Sequence, residues 1–314
     1  MAFCLPILEQ LISSNINTLQ RGATPKVLIM SPTRELAKQI VEEFQTISRT
    51  IGLRIQAIYG GTSLQDNYSV LQKGIDVVVG TPGRIKDLLD RKWLSFLEVK
   101  HVVLDEADQM LDMGFTEEIN AIFEAFQVKN EESSMKVQKQ VLLFSATMPK
   151  WVHTLANKYL SEERTIVDLV TGTSAVAVTT IQHIAIPAHW TILGSVINDV
   201  IAMFAGRQGR VMVFASTKLD CDTIAMDKTI KHECHVLHGD IPQAKRESTL
   251  AAYKAGNFRI LICTDVAARG LDLSVELVIQ AKPPCRMNGK TDVETYVHRS
   301  GRTGRAGKAG VCVT

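Results

Sequence analysis

The stretch VVLDEADQML, residues 102–111, passes from an apolar run to an acidic one within a few positions. Its β-branched start is typical of a buried strand, and the residues that follow favour a helix. Asp105, Glu106 and Asp108 therefore stand where a strand meets a helix. Carboxylates near a helix N-terminus are stabilised by the backbone dipole without any catalytic role. The stretch alone leaves helix capping and chemistry as two open interpretations.

Similar short apolar runs recur on both sides of this stretch, each bounded by polar or glycine residues. In the first half they are KVLIMSP, RIQAIYGG, IDVVVGT, HVVLDEAD and VLLFSAT, and in the second half HIAIP, RVMVFAST, CHVLHGD, RILICTD, ELVIQA and GVCVT. Helix-like segments such as residues 35–47 and 63–72 separate them. Strands that are apolar on both faces and alternate with helices indicate an α/β fold with a buried parallel sheet.

Many of these runs end in polar residues, as in SPTREL, YGGT, GTPGR, FSAT, FAST and CTDVAARG. The carboxyl ends of parallel strands lie at one edge of the sheet, where ligands bind in open α/β folds. The acidic stretch belongs to this pattern, which favours chemistry over helix capping.

Composition sets broad limits on the fold and the partners. The chain has 314 residues, 46% hydrophobic and 22% charged, which at about 150 residues per domain predicts two domains. A net charge of +2 singles out no class of partner. The six cysteines form no C-x-x-C pair, which favours reduced thiols and a cytosolic or nuclear protein. No apolar run reaches membrane-spanning length, and the start MAFCLPILEQLI is interpreted as an internal helix, not a signal peptide.

The stretch TGTSAVAVTT, residues 171–180, is small, polar and uncharged. This composition is typical of a linker between domains. We therefore predict one domain over residues 1–170 and a second over residues 181–314.

Seven motifs occur in order along the chain: SPTRELAKQ (31–39), GG (60–61), TPGR (81–84), DEAD (105–108), SAT (145–147), TDVAARGLD (264–272) and HRSGRTGR (298–305). This ordered set resembles the DEAD-box RNA helicases over nearly the whole chain. The segments HGDIPQAKRESTL, LVIQAKPP and YVHRSGRTGRAGKAGVC are similar to the nucleolar Gu-type branch. The resemblance implies two tandem RecA-like domains, each a mostly parallel sheet with helices on both faces, which close on ATP and single-stranded RNA.

The resemblance implies ATP and Mg²⁺ as cofactors and assigns roles in the first domain. Phosphoryl transfer to water needs a metal, a group that positions the water, and cations near the transferred phosphate. Asp105 would hold Mg²⁺ through water, because Mg²⁺ dehydrates reluctantly. Glu106 would orient or activate the attacking water. Asp108 would connect to Ser145 and Thr147 and pass the nucleotide state toward the RNA.

In the second domain the resemblance makes Arg302 and Arg305 arginine fingers that also contact the nucleotide. They are three residues apart and would share one face if that segment were helical. His298 and Arg299 would stabilise the closed interface, and Asp272 would meet the ribose hydroxyls. The alternative for HRSGRTGR is a solvated basic turn or a generic phosphate patch, which the accompanying DEAD and SAT motifs disfavour.

RNA contacts are implied at loop positions rich in small residues and arginine. In the first domain these are Pro32, Thr33, Arg34, Gly60, Gly61, Thr81, Pro82, Gly83 and Arg84, and in the second Gln243, Arg246 and Thr264. Backbone N–H groups and arginines of this kind would hold phosphates and 2′-hydroxyls of a single strand or a duplex without reading the bases. The alternative for the Gly60–Gly61 and Thr81–Gly83 positions is a plain turn.

The resemblance further implies a helicase in ribosome biogenesis or rRNA processing. It places the protein in the nucleus or nucleolus, with the cytoplasm as the alternative, and allows ribosome-assembly proteins as partners. Neither a membrane nor an oligomer is indicated.

Three departures from the family pattern shape the expected activity. No G-x-x-x-x-G-K-[ST] phosphate loop occurs in the chain, CRMNGKT (285–291) is inserted, and the sequence ends within a predicted strand. We therefore expect a fragment or an incomplete gene model that neither hydrolyses ATP nor unwinds RNA at a useful rate as written. The alternative function is a non-catalytic RNA-binding clamp or a regulatory isoform. A DNA-directed helicase is disfavoured by the DEAD and PTREL forms.

Overall fold

The computed structural model describes residues 2–13, 24–127, 139–168, 180–265, 273–285, 289–305 and 307–314. The chain divides into two compact units, Met1–Ile166 and Val167–Thr314. The predicted linker, residues 171–180, lies outside the described residues except for Thr180. None of the helices in the described part is both long and apolar enough to cross a bilayer.

The first unit is a five-stranded parallel sheet with helices on both faces. Its strands are β1 (Val27–Met30), β2 (Ile55–Ile58), β3 (Val77–Gly80), β4 (His101–Leu104) and β5 (Gln140–Leu143), in the spatial order β2-β3-β1-β4-β5. Its helices are α1 (Cys4–Ser13), α2 (Arg34–Ile47), α3 (Leu64–Gln72), α4 (Pro82–Asp90), α5 (Ala107–Asp112), α6 (Thr116–Gln127) and α7 (Lys150–Tyr159). All strand pairs in this sheet are parallel.

The second unit repeats this architecture with six parallel strands. They are β6 (Ile181–Ile184), β7 (Val211–Phe214), β8 (Cys234–Leu237), β9 (Ile260–Cys263), β10 (Leu277–Gln280) and β11 (Gly310–Val313), in the order β6-β11-β10-β7-β9-β8. A 3₁₀ turn (Trp190–Ile192) leads into α8 (Leu193–Phe204), followed by α9 (Lys218–Ala225), α10 (Gln243–Lys254) and α11 (Val293–Ser300). The predicted α/β fold class is confirmed.

Burial on both faces explains why the strands are continuous apolar runs. Successive residues of β1 pack into opposite cores, with Leu28 and Met30 on one side and Val27 and Ile29 on the other. Alternation along a strand sends neighbouring side chains to opposite faces of the sheet. A sheet covered on both sides therefore needs apolar residues at every position.

One predicted strand is misplaced. The apolar run HIAIP covers residues 183–187, whereas β6 spans Ile181–Ile184 and includes the exposed Gln182 and His183. β6 lies at the edge of its sheet, where polar side chains are tolerated and the apolar signal is weak. This run still overlaps β6 at His183 and Ile184, and each of the other ten runs contains or overlaps a strand.

Candidate functional site

The predicted motifs of the first unit gather at one edge of its sheet, at the carboxyl ends of the strands. The segments that follow β2, β3 and β1 carry Gly60–Gly61, Thr81–Arg84 and Pro32–Arg34, and those that follow β4 and β5 carry Asp105–Asp108 and Ser145–Thr147. Several of these residues lie at the start of the helix that comes next. The strand order therefore separates the motifs. The predicted RNA positions follow three neighbouring strands, and the DEAD and SAT motifs follow the other two. The Asp105 N–H donates to the Met30 carbonyl, which joins the two groups at the centre of the edge.

The acidic junction does not cap α5 through Glu106. Glu106 occupies the N-cap position, but its side chain forms no capping hydrogen bond. Its backbone lies in the left-handed region, with φ 52° and ψ 52°. For a residue with a side chain, that conformation costs about 1–2 kcal/mol and is concentrated at functional sites. The geometry thus favours chemistry over simple helix capping for this residue.

Asp105 is a desolvated carboxylate beside Glu106. Burial raises the pKa of Asp105 to about 6, although its Oδ1 accepts a 3.1 Å hydrogen bond from the Glu106 N–H that acts in the opposite direction. A carboxylate whose charged form is disfavoured by burial favours a nearby cation or a proton.

The donor set at this junction fits Mg²⁺ in one particular mode. Across the described ranges, no three His, Cys, Asp or Glu side chains are grouped closely enough to bind a metal by themselves. Mg²⁺ usually keeps several waters and takes one or two carboxylates together with phosphate oxygens. The single carboxylate of Asp105 fits that mode and does not fit an all-protein metal cage.

Asp108 joins the DEAD and SAT motifs. Its Oδ2 accepts hydrogen bonds from the Thr147 N–H at 3.0 Å and the Thr147 hydroxyl at 2.8 Å. Its N–H donates to the Ser145 hydroxyl, which donates to the Thr147 carbonyl at 2.7 Å. Asp108 is only 3% exposed, so these bonds satisfy a buried charge. The structure brings the three residues together as the sequence predicted, while their role in signalling stays a prediction.

Two arginines converge on the loop that follows β2. The guanidinium of Arg34 lies against Gly61, whose φ is +83°, and a Cβ on Gly61 would lie 2.5 Å from Arg34 Nη1. Arg84 donates from Nη1 and Nη2 to the Thr62 carbonyl, at 3.1 and 3.2 Å. The positive φ favours glycine at position 61, and a side chain there would displace the Arg34 guanidinium from this contact. Arg34 and Arg84 thus position this loop, and their contact with RNA stays a prediction.

The helix α4 begins with Pro82 after the N-cap residue Thr81, whose side chain forms no capping hydrogen bond. No described atom lies within 4 Å of the position that a Cβ on Gly83 would take. The backbone φ of Gly83 is not positive, so neither conformation nor packing explains a glycine here. By contrast, Thr33 caps α2 by accepting from the Leu36 N–H.

The three predicted RNA positions of the second unit lie at the carboxyl edge of its own sheet. Gln243 begins α10, and its Oε1 accepts from Arg246 Nη1 at 3.3 Å. Thr264 directly follows β9, and its N–H donates to the Leu237 carbonyl. Gln243 and Arg246 are in direct contact, whereas Thr264 reaches the same edge from a different strand.

Arg299 is fully engaged inside the second unit. Its guanidinium forms a bidentate pair with Asp265, at 2.6 and 2.8 Å, and Nη1 donates to the Lys282 carbonyl at 3.1 Å. The residue is 2% exposed. This geometry makes Arg299 a positioning residue that ties α11 to the end of β9.

The segment that carries the two predicted arginine fingers is not helical. α11 ends at Ser300, and residues 301–304 form turns, so Arg302 and Arg305 do not share a helical face. Gly301 and Gly304 fall inside this segment and favour the turn. Arg305 Nε donates to the Gly301 carbonyl at 2.6 Å. His298 lies on the last turn of α11, and Asp272 lies outside the described residues.

Comparison with known proteins decides the family. A model for DEAD/DEAH box helicases matches residues 1–155, and one for the helicase conserved C-terminal domain matches residues 195–307. The ATP-dependent RNA helicase DDX50 of Mus musculus is 45% identical over 99% of this chain and 41% of its own. The Nucleolar RNA helicase 2 of Rattus norvegicus is 45% identical over 99% of this chain and 38% of its own.

The chain belongs to the DEAD-box RNA helicase family. The predicted family and its Gu branch are thereby confirmed. The chain spans about two fifths of the length of the curated relatives that it matches.

Solved structures of the DEAD-box family share the fold. Mss116p bound to single-stranded RNA and AMP-PNP has a TM-score of 0.83 and 30% identity, over 99% of this chain and 62% of that one. Dbp5 of S. cerevisiae bound to RNA and ADP BeF3 has a TM-score of 0.82 and 29% identity, over 99% of this chain and 74% of that one. These matches confirm two RecA-like domains.

Sequence reasoning missed the residues that hold the motifs in place. Asp265 pairs with Arg299, and Thr62 receives Arg84. Both stand directly beside predicted positions, Thr264 and Gly61. The available signal was the charge of Asp265 within TDVAARG, because a buried arginine needs a carboxylate.

Proposed function

We propose that this protein couples ATP hydrolysis to RNA binding and opens short RNA duplexes. The observation that carries the proposal is the common edge of the first sheet, where the RNA motifs and the acidic motifs stand on adjacent strands. The strand β1 pairs with both β3 and β4, so a ligand at one half of the edge lies one strand from the other half.

The acidic junction supports the hydrolytic half of this function. Asp105 would hold Mg²⁺ through water, and the metal would neutralise charge on the nucleotide phosphates. Glu106 would accept a proton from the attacking water or orient it, and its left-handed backbone is of a kind that is concentrated at functional sites. The buried network of Asp108, Ser145 and Thr147 would sense the nucleotide.

Residues of the second unit would supply cations and nucleotide contacts. Arg302 and Arg305 would stabilise charge on the transferred phosphate, as arginine fingers do. Arg299 would hold the segment that carries them through Asp265. His298 would support the closed state, and Asp272 would meet the ribose, as the family pattern implies.

RNA would be held by its backbone. The glycines and threonines at the three loops offer backbone N–H groups, and Arg34 and Arg84 bring positive charge to the same loops. The open space at Gly83 would admit the backbone of a ligand. Gln243, Arg246 and Thr264 would continue these contacts on the second unit. Such contacts are indifferent to base sequence.

The cellular setting follows the named relatives. One of them, from Rattus norvegicus, is called Nucleolar RNA helicase 2, and on that basis we place this protein in the nucleus or nucleolus, with the cytoplasm as the alternative. Its substrates there would be RNAs of ribosome assembly, and its partners would include assembly proteins.

The test uses the 314-residue chain and an extended chain, defined as residues 1–314 preceded by the phosphate-loop segment of a family member. RNA-stimulated ATP hydrolysis is measured for both. We expect turnover in the extended chain and loss of turnover in its Glu106→Gln variant, with nucleotide binding retained. The exposed Glu117→Gln is the matched control. Arg302→Ala and Arg305→Ala should each lower turnover, by as much as the roughly 10³- to 10⁵-fold attributed to arginine fingers.

The outcomes separate the candidate functions. Unchanged turnover in Glu106→Gln would show that this residue does not act on the water. A folded extended chain that binds RNA but hydrolyses no ATP would indicate the alternative function, an RNA-binding clamp.

A further inference from the structure

The turn formed by residues 301–305 connects α11 to the last strand of the second unit. It carries Arg302 and Arg305. Two backbone hydrogen bonds between residues three apart close it, from the Arg302 N–H to the Arg299 carbonyl and from the Thr303 N–H to the Ser300 carbonyl. The Arg302 carbonyl accepts from the Val275 N–H at 3.0 Å. These bonds fix the first half of the turn and leave the peptide between Gly304 and Arg305 to other contacts.

Thr180, the residue before β6, forms a hydrogen bond with that peptide. The Thr180 hydroxyl donates to the Gly304 carbonyl at 2.7 Å. Thr180 is itself fixed, because its carbonyl accepts from the Gly310 N–H at 3.0 Å. The hydroxyl therefore reaches the turn from a strand edge and not from a loose segment.

The packing around Gly304 makes this contact specific. Gly304 has φ +67°, and a Cβ there would lie 2.5 Å from Ile181 Cγ1 and 2.9 Å from Thr180 Oγ1. Glycine relieves both constraints, but it also gives the peptide more conformations than any other residue would. The neighbouring Thr303 is anchored separately, by its hydroxyl on the Glu276 carbonyl at 3.2 Å.

We propose that Thr180 is a positioning residue for Arg305, whose hydroxyl fixes the peptide plane from which the Arg305 side chain departs. The carbonyl of Gly304 and the N–H of Arg305 belong to one rigid peptide unit. Holding the carbonyl therefore holds the plane, and the 2.6 Å bond from Arg305 Nε to the Gly301 carbonyl then directs the guanidinium. The catalytic part of this inference rests on the proposed function, in which Arg305 meets the nucleotide phosphates.

The first experiment needs no nucleotide. In the 314-residue chain, the NMR signal of the Arg305 Nε–H is compared between Thr180→Val, which keeps the shape, and Thr180→Ser, which keeps the hydroxyl. We expect the valine variant to shift or broaden this signal and the serine variant to leave it in place. Thr223→Val is the matched control, since it removes an exposed hydroxyl that donates within α9.

The second experiment measures ATP hydrolysis in the extended chain at saturating RNA. Misplacement of a catalytic group by about 1 Å can cost roughly 10²-fold in rate. We expect kcat to fall at least tenfold in Thr180→Val, with the KM for RNA unchanged, and to stay within about twofold of the parent in Thr180→Ser. The melting temperature of each variant is measured alongside the two experiments, and a general loss of stability in Thr180→Val would lower it.

The outcomes are distinct. An unchanged Arg305 Nε–H signal and an unchanged kcat in Thr180→Val would overturn the proposal. If the parent extended chain hydrolyses no ATP, the proposed function fails, and the NMR comparison alone decides whether Thr180 positions Arg305. If Thr180→Val does not fold, Thr180→Ala is judged by the same signal and the same limits.

Discussion

At the scale of single residues, the buried carboxylate of Asp108 depends on the donors of Thr147. Thr147→Val removes the 2.8 Å hydroxyl bond and keeps the backbone one. A hydrogen bond to a charged group contributes about 1.5–3 kcal/mol, so we expect a loss of that size in the stability of the first unit. Chemical denaturation measures it. Thr154→Val, which removes an exposed hydroxyl bonded within α7, is the control, and equal losses in both variants would contradict the prediction.

His101 makes the stability of the first unit dependent on pH. Burial lowers the pKa of His101, partly opposed by its 3.2 Å contact with Gln140. Below about pH 6.5 the unfolded chain binds a proton that folded His101 resists, so the contribution of His101 to stability falls as the pH drops. We expect His101→Gln to flatten this decline between pH 7.5 and 5.5. An unfolding series with exposed His153→Gln as control tests it, and a decline of equal slope in both variants would refute the role of His101.

At the scale of elements, a substitution at the start of α4 should affect stability and RNA binding differently. A glycine in a helix costs up to about 1 kcal/mol relative to alanine. Gly83 has open space around its missing Cβ and no positive φ. We therefore expect Gly83→Ala to keep or raise the melting temperature and to weaken RNA binding, because the methyl group occupies space that a ligand backbone would use.

The matched comparison is Gly61→Ala, in the loop after β2. There the positive φ and the Arg34 guanidinium both oppose a side chain, so stability should fall as well as RNA affinity. Melting curves and RNA titrations of the two variants give the answer. Unchanged RNA affinity in Gly83→Ala would remove the argument that a ligand approaches this helix end.

At the scale of the whole molecule, the net charge of +2 does not predict strong attraction to RNA, and the binding should come from local arginines. We expect affinity for single strands that falls steeply with salt and is nearly equal for different base sequences. Titrations of labelled strands at several salt concentrations measure both properties. A flat salt response or a strong preference for one sequence would contradict backbone recognition.

Much of the fold could be predicted because strands that are buried on both faces appear in the sequence as continuous apolar runs. All eleven apolar runs contain or overlap a strand, and the motifs of the first unit follow the strand ends. The contacts that hold the motifs in place could not be predicted from the sequence. Arg299 pairs with Asp265, 34 positions away, and Thr180 reaches Gly304 across 124 positions. Such contacts depend on how strands are ordered in the sheet, which local periodicity does not encode.

The parallel order of the first sheet also constrains how the protein is made. Val27 of β1 pairs with Val77 on one side and with His101 on the other, and β4 then pairs with β5 at Gln140. During synthesis, β1 must therefore wait with both edges open until distant segments leave the ribosome. Pairing over such separations is slow, and open strand edges invite aggregation. The order of this sheet thus makes the nascent first unit prone to aggregation until the partners of β1 have been synthesised.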